Sequence, residues 1–139
     1  MKSAKWFRLL MTAFALLFIA SIARAEWPEK PVTIVIPYDP GGPGDIITRL
    51  VAGDLSRRFG QPVVVENRPG AGGNIGTTAV ARSAPDGYTI LVSATNNFVV
   101  NQFLYRDIGF DPLASLEPVT ILADIPLVLF LGGQLPTPT

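Results

Sequence analysis

From residue 32 onward, apolar positions along the chain switch between two rhythms. Val32–Pro37 (VTIVIP) is a continuous β-branched apolar run, the pattern of a strand buried on both faces. Pro37–Asp45 (PYDPGGPGD) is a turn-rich loop whose last residue is able to N-cap a helix. Ile46, Ile47, Leu50, Val51, Leu55 and Phe59 then recur at helical spacing, and Gly60 is a natural terminator. Gln61–Glu66 (QPVVVE) predicts a second buried strand. Asn67–Asn74 (NRPGAGGN) is a second glycine-rich loop, and Ile75–Ser83 is a short helix-compatible stretch. Asp86-Gly87 makes a turn before a third strand, Tyr88–Ser93 (YTILVS). Strand, loop and helix succeed one another in the βαβαβ rhythm of an α/β fold with a parallel sheet. Beyond it, Ala94–Tyr105 predicts one or two helical turns, and Asp107–Pro118 reads as loop with a turn at Pro112–Leu116. Val119–Ala123 and Leu127–Leu131 are apolar runs suited to strands, and Gly132–Thr139 lacks any apolar period and is expected to be disordered.

The first 25 residues follow a different pattern. Lys2, Lys5 and Arg8 precede an apolar run, Leu9–Ile22, broken only by Thr12 and Ser21, and Ala23-Arg24-Ala25 follows. A basic start, a short apolar stretch and an A-x-A site read as a cleavable secretory signal, with cleavage after Ala25. The apolar run falls short of the roughly 20 residues that span a bilayer.

This division changes the charge picture. The whole chain of 139 residues has 11 Lys+Arg and 11 Asp+Glu, but residues 1–25 hold four cations and no acids. Glu26–Thr139 therefore has a net charge of −4 and a single lysine, Lys30. An acidic chain without a basic stripe is not a nucleic-acid binder. The chain has no Cys and no His, which excludes the ordinary zinc, haem, iron–sulfur and thiol chemistries, and Ser-His-Asp or Cys-His nucleophiles. No metal site, cofactor or catalytic residue is implied.

Candidate chemistry lies in the loops. In a parallel sheet, ligands bind outside the carboxyl ends of the strands, where both glycine-rich loops sit. A helix start presents unpaired N–H groups and about half a positive charge, and glycine lets a ligand approach the backbone. Gly41–Asp45 and Gly70–Ile75 thus form a candidate anion site, with Ser93–Asn97 offering hydroxyl and amide groups. Plain readings stand beside this one: the loops as tight turns, Asp45 as a helix cap, Tyr38 as cover for the sheet edge, and Arg68 and Arg82 as solvated or ion-paired. Nucleotide motifs fail directly. No Lys follows these glycines as a phosphate-binding P-loop requires, and of the dinucleotide pattern Gly70 and Gly72 fit but position 75 is Ile.

The string itself carries a resemblance. Trp27-Pro28, Lys30-Pro31 and Val32–Tyr38 with Pro40-Gly41-Gly42 and Asp45, then Gly60–Gly76 (GQPVVVENRPGAGGNIG) and Ala84–Thr89, resemble the Bug-type receptors of tripartite tricarboxylate transporters. The later Leu104-Tyr105 and Pro118-Val119 match in order, so the resemblance covers about residues 26–131. It implies the first lobe of a type II periplasmic-binding-protein fold, which closes on a small carboxylate and delivers it to membrane permease subunits. It places Tyr38, Gly41, Gly42, Gly44, Asp45, Gly72, Gly73, Asn74, Ser93, Thr95 and Asn96 on the ligand face, with Asp45 near any ligand amine. Asp39, where the family has an apolar residue or Pro, would repel a carboxylate, and Gln102 stands where Pro is usual.

Length departs furthest from the family pattern, because two lobes need roughly twice this many residues. The expectation is a partial ligand-binding lobe over 26–118, crossover strands over 119–131 towards a missing second lobe, and a truncated, non-functional product, monomeric if soluble. A secreted α/β enzyme acting on a carboxylate and a sensor-type binding protein are the alternative functions. Exported protein is expected to begin at Glu26. Intact-mass spectrometry of the secreted chain checks this, and a product still carrying Met1–Ala25 would refute it.

Overall fold

A computed structural model describes residues 27–126 and 128–130. The expected signal peptide (1–25) and tail (132–139) lie outside the described residues. Strand β1 is Val32–Ile36, with Val32, Ile34, Val35 and Ile36 all buried, as a run apolar on both faces requires. Helix α1 is Pro43–Phe59, β2 is Val63–Asn67, a 3-10 turn spans Ala71–Gly73, α2 is Asn74–Ala81 and β3 is Thr89–Leu91. Two single-turn helices follow, α3 (Asn96–Val99) and α4 (Asn101–Leu104).

The sheet has the order β2-β1-β3 and is parallel throughout. Ile34 lies beside Val65 on one side and Ile90 on the other. The chain steps from β1 to one neighbour, then crosses back to the other. Right-handed crossovers in opposite directions place α1 and α2 on opposite faces. Accordingly α1 packs on β1 and β2, and α2 on β1 and β3. Ala52 of α1 and Val80 of α2 complete the buried apolar centre. At the far end, Trp27 sits edge-on to Phe59 at 5.2 Å and 5.9 Å from Tyr88, tying the described N-terminus to the end of α1 and the start of β3.

The predicted α/β order holds, with three differences. First, α1 begins at Pro43 rather than after Asp45. Gly42, extended at φ −73° and ψ 166°, is the N-cap, and Pro43, which has no N–H to leave unpaired, takes the first helical position. Second, Ile46 and Leu50 face outward at 55% and 71% exposure, while Ile47, Val51 and Leu55 face an open cavity of about 1580 Å3. Third, Val119–Ala123 is not a strand. Residues 118–125 run unpaired along that cavity, because β1 is already paired on both sides and the segment joins neither outer strand. Of the second expected strand, residues 128–130 are described and are irregular and exposed. The turn near Pro112 is as expected: the Asp111 carboxylate accepts the N–H groups of Leu113 (2.8 Å) and Ala114 (3.2 Å).

Helix termini follow the sequence closely. Gly60 adopts the left-handed conformation (φ 65°) and donates its N–H to the Ser56 carbonyl at 3.1 Å, closing α1. Gly76 lets α2 approach the end of β1. A Cβ there would lie 2.6 Å from the Arg68 carbonyl oxygen and 2.9 Å from Pro37 Cα, both backbone atoms. Gly53, inside α1, meets nothing within 4 Å. Gly76→Ala is therefore expected to destabilise by about 1–3 kcal/mol. Gly53→Ala should stabilise by about 0.4–1 kcal/mol. Urea unfolding of the two variants measures the contrast, and equal effects would refute it.

Candidate functional site

The strand order reverses at β1, so the loops leaving β1 and β3 diverge to opposite faces and leave a crevice between them. In open α/β sheets this switch point is where ligands bind. The crevice is bordered by Tyr38–Gly42 and the start of α1, by Val92–Asn97, and, from behind, by the Gly72–Asn74 turn that opens α2.

Asp45 fixes the first of these walls. It is 5% exposed, and each carboxylate oxygen accepts twice. Oδ2 takes the Gly41 N–H (3.0 Å) and Arg49 Nε (2.9 Å), and Oδ1 takes Asn67 Nδ2 (3.0 Å) and Arg49 Nη2 (2.9 Å). Asn67, the last residue of β2, also donates to the Tyr38 carbonyl (3.1 Å) and accepts from Arg49 Nη2 (2.8 Å). The Arg49 guanidinium, then the Gly41 N–H and the Asn67 amide, hold the Asp45 carboxyl far below the usual carboxylate range, against the opposing effect of burial. Four acceptor positions are filled, so Asp45 has no capacity left for a ligand. The expectation of Asp45 as N-cap or as partner to a ligand amine is thus corrected: it is the third residue of α1 and holds the loop from beneath.

Held this way, the start of α1 offers what an anion needs. The N–H groups of Gly42, Gly44 and Asp45 have no acceptor among the described residues, and Gly42 and Gly44 are partly open to solvent. The Tyr38 hydroxyl reaches the loop after β3. It donates to Asn97 Oδ1, its nearest acceptor, and accepts the Ala94 N–H at 3.3 Å. Ser93 Oγ lies 3.4 Å away and Asn96 Oδ1 3.3 Å away. A phenol has one proton, so the Asn96 amide is left with hydrogen-bonding capacity, and Asn96 and Thr95 are exposed.

The second glycine-rich loop behaves differently from expectation. The N–H groups of Gly73 and Ile75 point to the Gly70 carbonyl (3.0 and 3.5 Å), and that of Asn74 to Ala71. The 3-10 turn thus uses the donors that a freely starting helix would expose. Gly73 and Asn74 are buried, and the Gly72 carbonyl is turned inward. Of the eleven predicted residues, Tyr38, Gly44, Ser93 and Thr95 line the open cavity, Gly41, Gly42, Gly72 and Asn96 are at least partly exposed, and Asp45, Gly73 and Asn74 are buried. Arg68 is paired with Glu66 (2.8 Å), the plain reading given for it. Asp39 is exposed at the rim.

Sequence reasoning passed over Arg49 and Asn101, and took Asn67 and Asn97 only as ends of candidate loops. The signals were present: Asn97 and Asn101 are spaced i, i+4, and Asn67 ends a strand at its ligand-facing edge. No cluster of three His, Cys, Asp or Glu side chains able to hold a metal occurs among the described residues.

Comparison with known proteins places the chain in a family and a fold. Residues 47–139 match the family described as "Tripartite tricarboxylate transporter family receptor". The protein BugT of Bordetella pertussis (strain Tohama I) is 42% identical over 117 residues, covering 84% of this chain and 36% of BugT. The structure of the periplasmic binding protein BugD superposes with a TM-score of 0.62 at 47% identity, over 66% of this chain and 30% of BugD. Rpa4515 of R. palustris, solved with adipate, superposes with a TM-score of 0.61 at 40% identity, over 63% of this chain and 29% of that one. The chain thus spans about a third of the length of these relatives.

The Asp45 cluster sets an acid dependence. Because its carboxyl ionises more readily folded than unfolded, its contribution is present above the unfolded value of about pH 4 and fades as pH falls. Asp45→Asn is expected to lower the thermal midpoint at pH 7 and to flatten its decline below about pH 4. Melting curves of both proteins from neutral to strongly acid pH test this, and parallel profiles would count against it.

Proposed function

Because the chain belongs to the tripartite tricarboxylate transporter receptor family, we propose that it is the carboxylate-binding part of an exported solute receptor. What supports this reading is the row of N–H groups at Gly42, Gly44 and Asp45 that have no acceptor among the described residues, at the start of the helix that follows β1. A carboxylate seated there receives oriented backbone donors and the positive end of a 17-residue helix. The groups around it are neutral amides and hydroxyls, so they bind and orient without transferring protons. The nearby carboxylates are Asp39, on the surface, and Asp45, kept ionised by its four donors. This is a receptor's inventory.

The relative solved with adipate supports a small dicarboxylate as ligand. The sequence of residues 1–25 supports delivery to the periplasm, and family membership supports hand-over to the membrane subunits of a transporter. In the whole receptor, one end of the ligand rests on this lobe, and groups beyond the described residues meet the other end.

Titration calorimetry of the chain with adipate and with adipamide, its uncharged diamide, tests the reading. Adipate is expected to bind, adipamide to bind at least about tenfold more weakly, and Tyr38→Phe to weaken adipate by about three- to tenfold. Equal affinity for adipate and adipamide would refute carboxylate recognition, and absence of any heat with adipate would refute binding by this lobe.

A further inference from the structure

Three asparagine side chains are buried side by side behind the crevice: Asn97 at 0% exposure, Asn101 at 3% and Asn74 at 4%. Burying amides is costly unless each is matched, and packing alone is served as well by leucine. The bonds of Asn97 and Asn101 converge on one atom, whereas Asn74 Nδ2 has no partner among the described residues. Asn97 Nδ2 donates to the Gly72 carbonyl at 3.2 Å, and Asn101 Nδ2 donates to the same carbonyl at 3.1 Å. Asn101 Nδ2 also reaches Asn74 Oδ1 at 2.7 Å, and Asn97 Nδ2 reaches Thr77 Oγ1 at 3.4 Å. The remaining polar atom of Asn97, Oδ1, takes the Tyr38 proton.

Asn97 therefore touches all three loops. Through Tyr38 it holds the loop after β1, through Gly72 the turn that starts α2, and through its own backbone the loop after β3. The turn it holds is an uncommon one. Gly72 and Gly73 have φ values of 63° and 95°, and a Cβ on Gly73 would collide with the Asn97 amide. Glycine at this point makes room for the clamp, and the clamp in turn fixes a backbone that glycine alone leaves loose.

We infer that Asn97, assisted by Asn101, is the positioning residue of the carboxylate site: it orients the Tyr38 hydroxyl and locks the three ligand loops into one preorganised unit. It touches no ligand itself and acts through Tyr38 and the Gly72 carbonyl. This rests on the carboxylate-binding reading above and adds to it the source of the site's rigidity. Preorganisation of this kind lowers the ordering cost of binding, so its loss reads out in affinity.

The test uses the full chain with adipate as probe and three variants, Asn97→Ala, Asn101→Ala and Tyr38→Phe. Asn97→Ala is expected to weaken adipate by about tenfold, and the Asn97→Ala/Tyr38→Phe double variant by no more than Asn97→Ala alone, as a shared pathway requires. In 1H–15N spectra without ligand, Asn97→Ala should move the amide resonances of both Ala94 and Gly73, whereas Tyr38→Phe moves Ala94 only. Asn101→Ala, which leaves Tyr38 untouched, should move Gly73 and weaken adipate by a few-fold, and it serves if Asn97→Ala fails to fold. Affinity losses that multiply in the double variant, or Gly73 and Ala94 resonances unmoved by Asn97→Ala, would overturn the inference. If the unaltered chain fails to bind adipate, the carboxylate reading falls, and the ligand-free amide shifts still decide whether the clamp exists.

Discussion

A carboxylate taken out of water has to be met by donors, and in this chain that requirement shapes everything near the crevice. Asp45 is buried three residues into α1, so the loop before it must bend back to bring the Gly41 N–H within 3.0 Å. The end of β2 must supply Asn67, and the next turn of the helix must supply Arg49. Asp45 is the buried member and Arg49 is half exposed, so loss of any one donor leaves the buried carboxylate short of a partner. The outcome is a fixed loop between β1 and α1, with the helix N–H groups exposed at a defined place rather than fraying.

Topology does the rest of the positioning. The sheet reverses direction at β1, so two loops part above it and the third starts behind. Each wall then needs its own tie to the others. Asn67 ties β2 to the Tyr38 carbonyl, Tyr38 ties the first loop to Ala94, and Asn97 ties the second loop to Gly72. These are hydrogen bonds between residues far apart in sequence and adjacent at one edge of the sheet. Gly76 contributes by absence, since any side chain there would hold α2 away from the end of β1.

Most of the architecture was legible from apolar periodicity, because β1 is covered on both faces and α1 must present a stripe, although β2, expected to be buried, is an edge strand with Val64 half exposed. Val32–Ile36 and Gly60 sit where the pattern put them. What periodicity could not reach was pairing. Val119–Ala123 has a strand's composition, yet a strand exists only where an edge accepts it, and that is a property of the whole sheet. The site was half legible for the same reason. Loops rich in glycine announce themselves, so Gly41–Gly44 was singled out, and Ser93–Asn96 drew notice for its hydroxyl and amide groups after the third strand. Which N–H groups they leave free depends on the local turn. The 3-10 turn at Ala71–Gly73 consumes its own donors, whereas Pro43 begins a helix that cannot. Asn97 and Asn101 stand i, i+4 apart in the sequence, but what their amides join is visible only when the three loops are seen together.

Charge balance explains why a backbone site suffices. Asp45 and Arg49 form a bidentate pair beneath the loop, so their fields largely cancel at the crevice. In the proposed site a ligand carboxylate would meet the helix N-terminus itself, with its partial positive charge and its unpaired N–H groups. A lysine or arginine at the same place would bind more strongly but would carry its own mobile counter-ions and rotamer freedom. Fixed dipoles cost nothing to orient at the moment of binding. They also recognise the carboxylate alone and say little about the rest of the molecule. On the proposed function, discrimination among carboxylates would fall to groups with spare hydrogen-bonding capacity. Asn96 has that capacity, because Tyr38 has spent its single proton on Asn97. The positioning of one phenol thus sets both the rigidity of the wall and the freedom of the amide beside it.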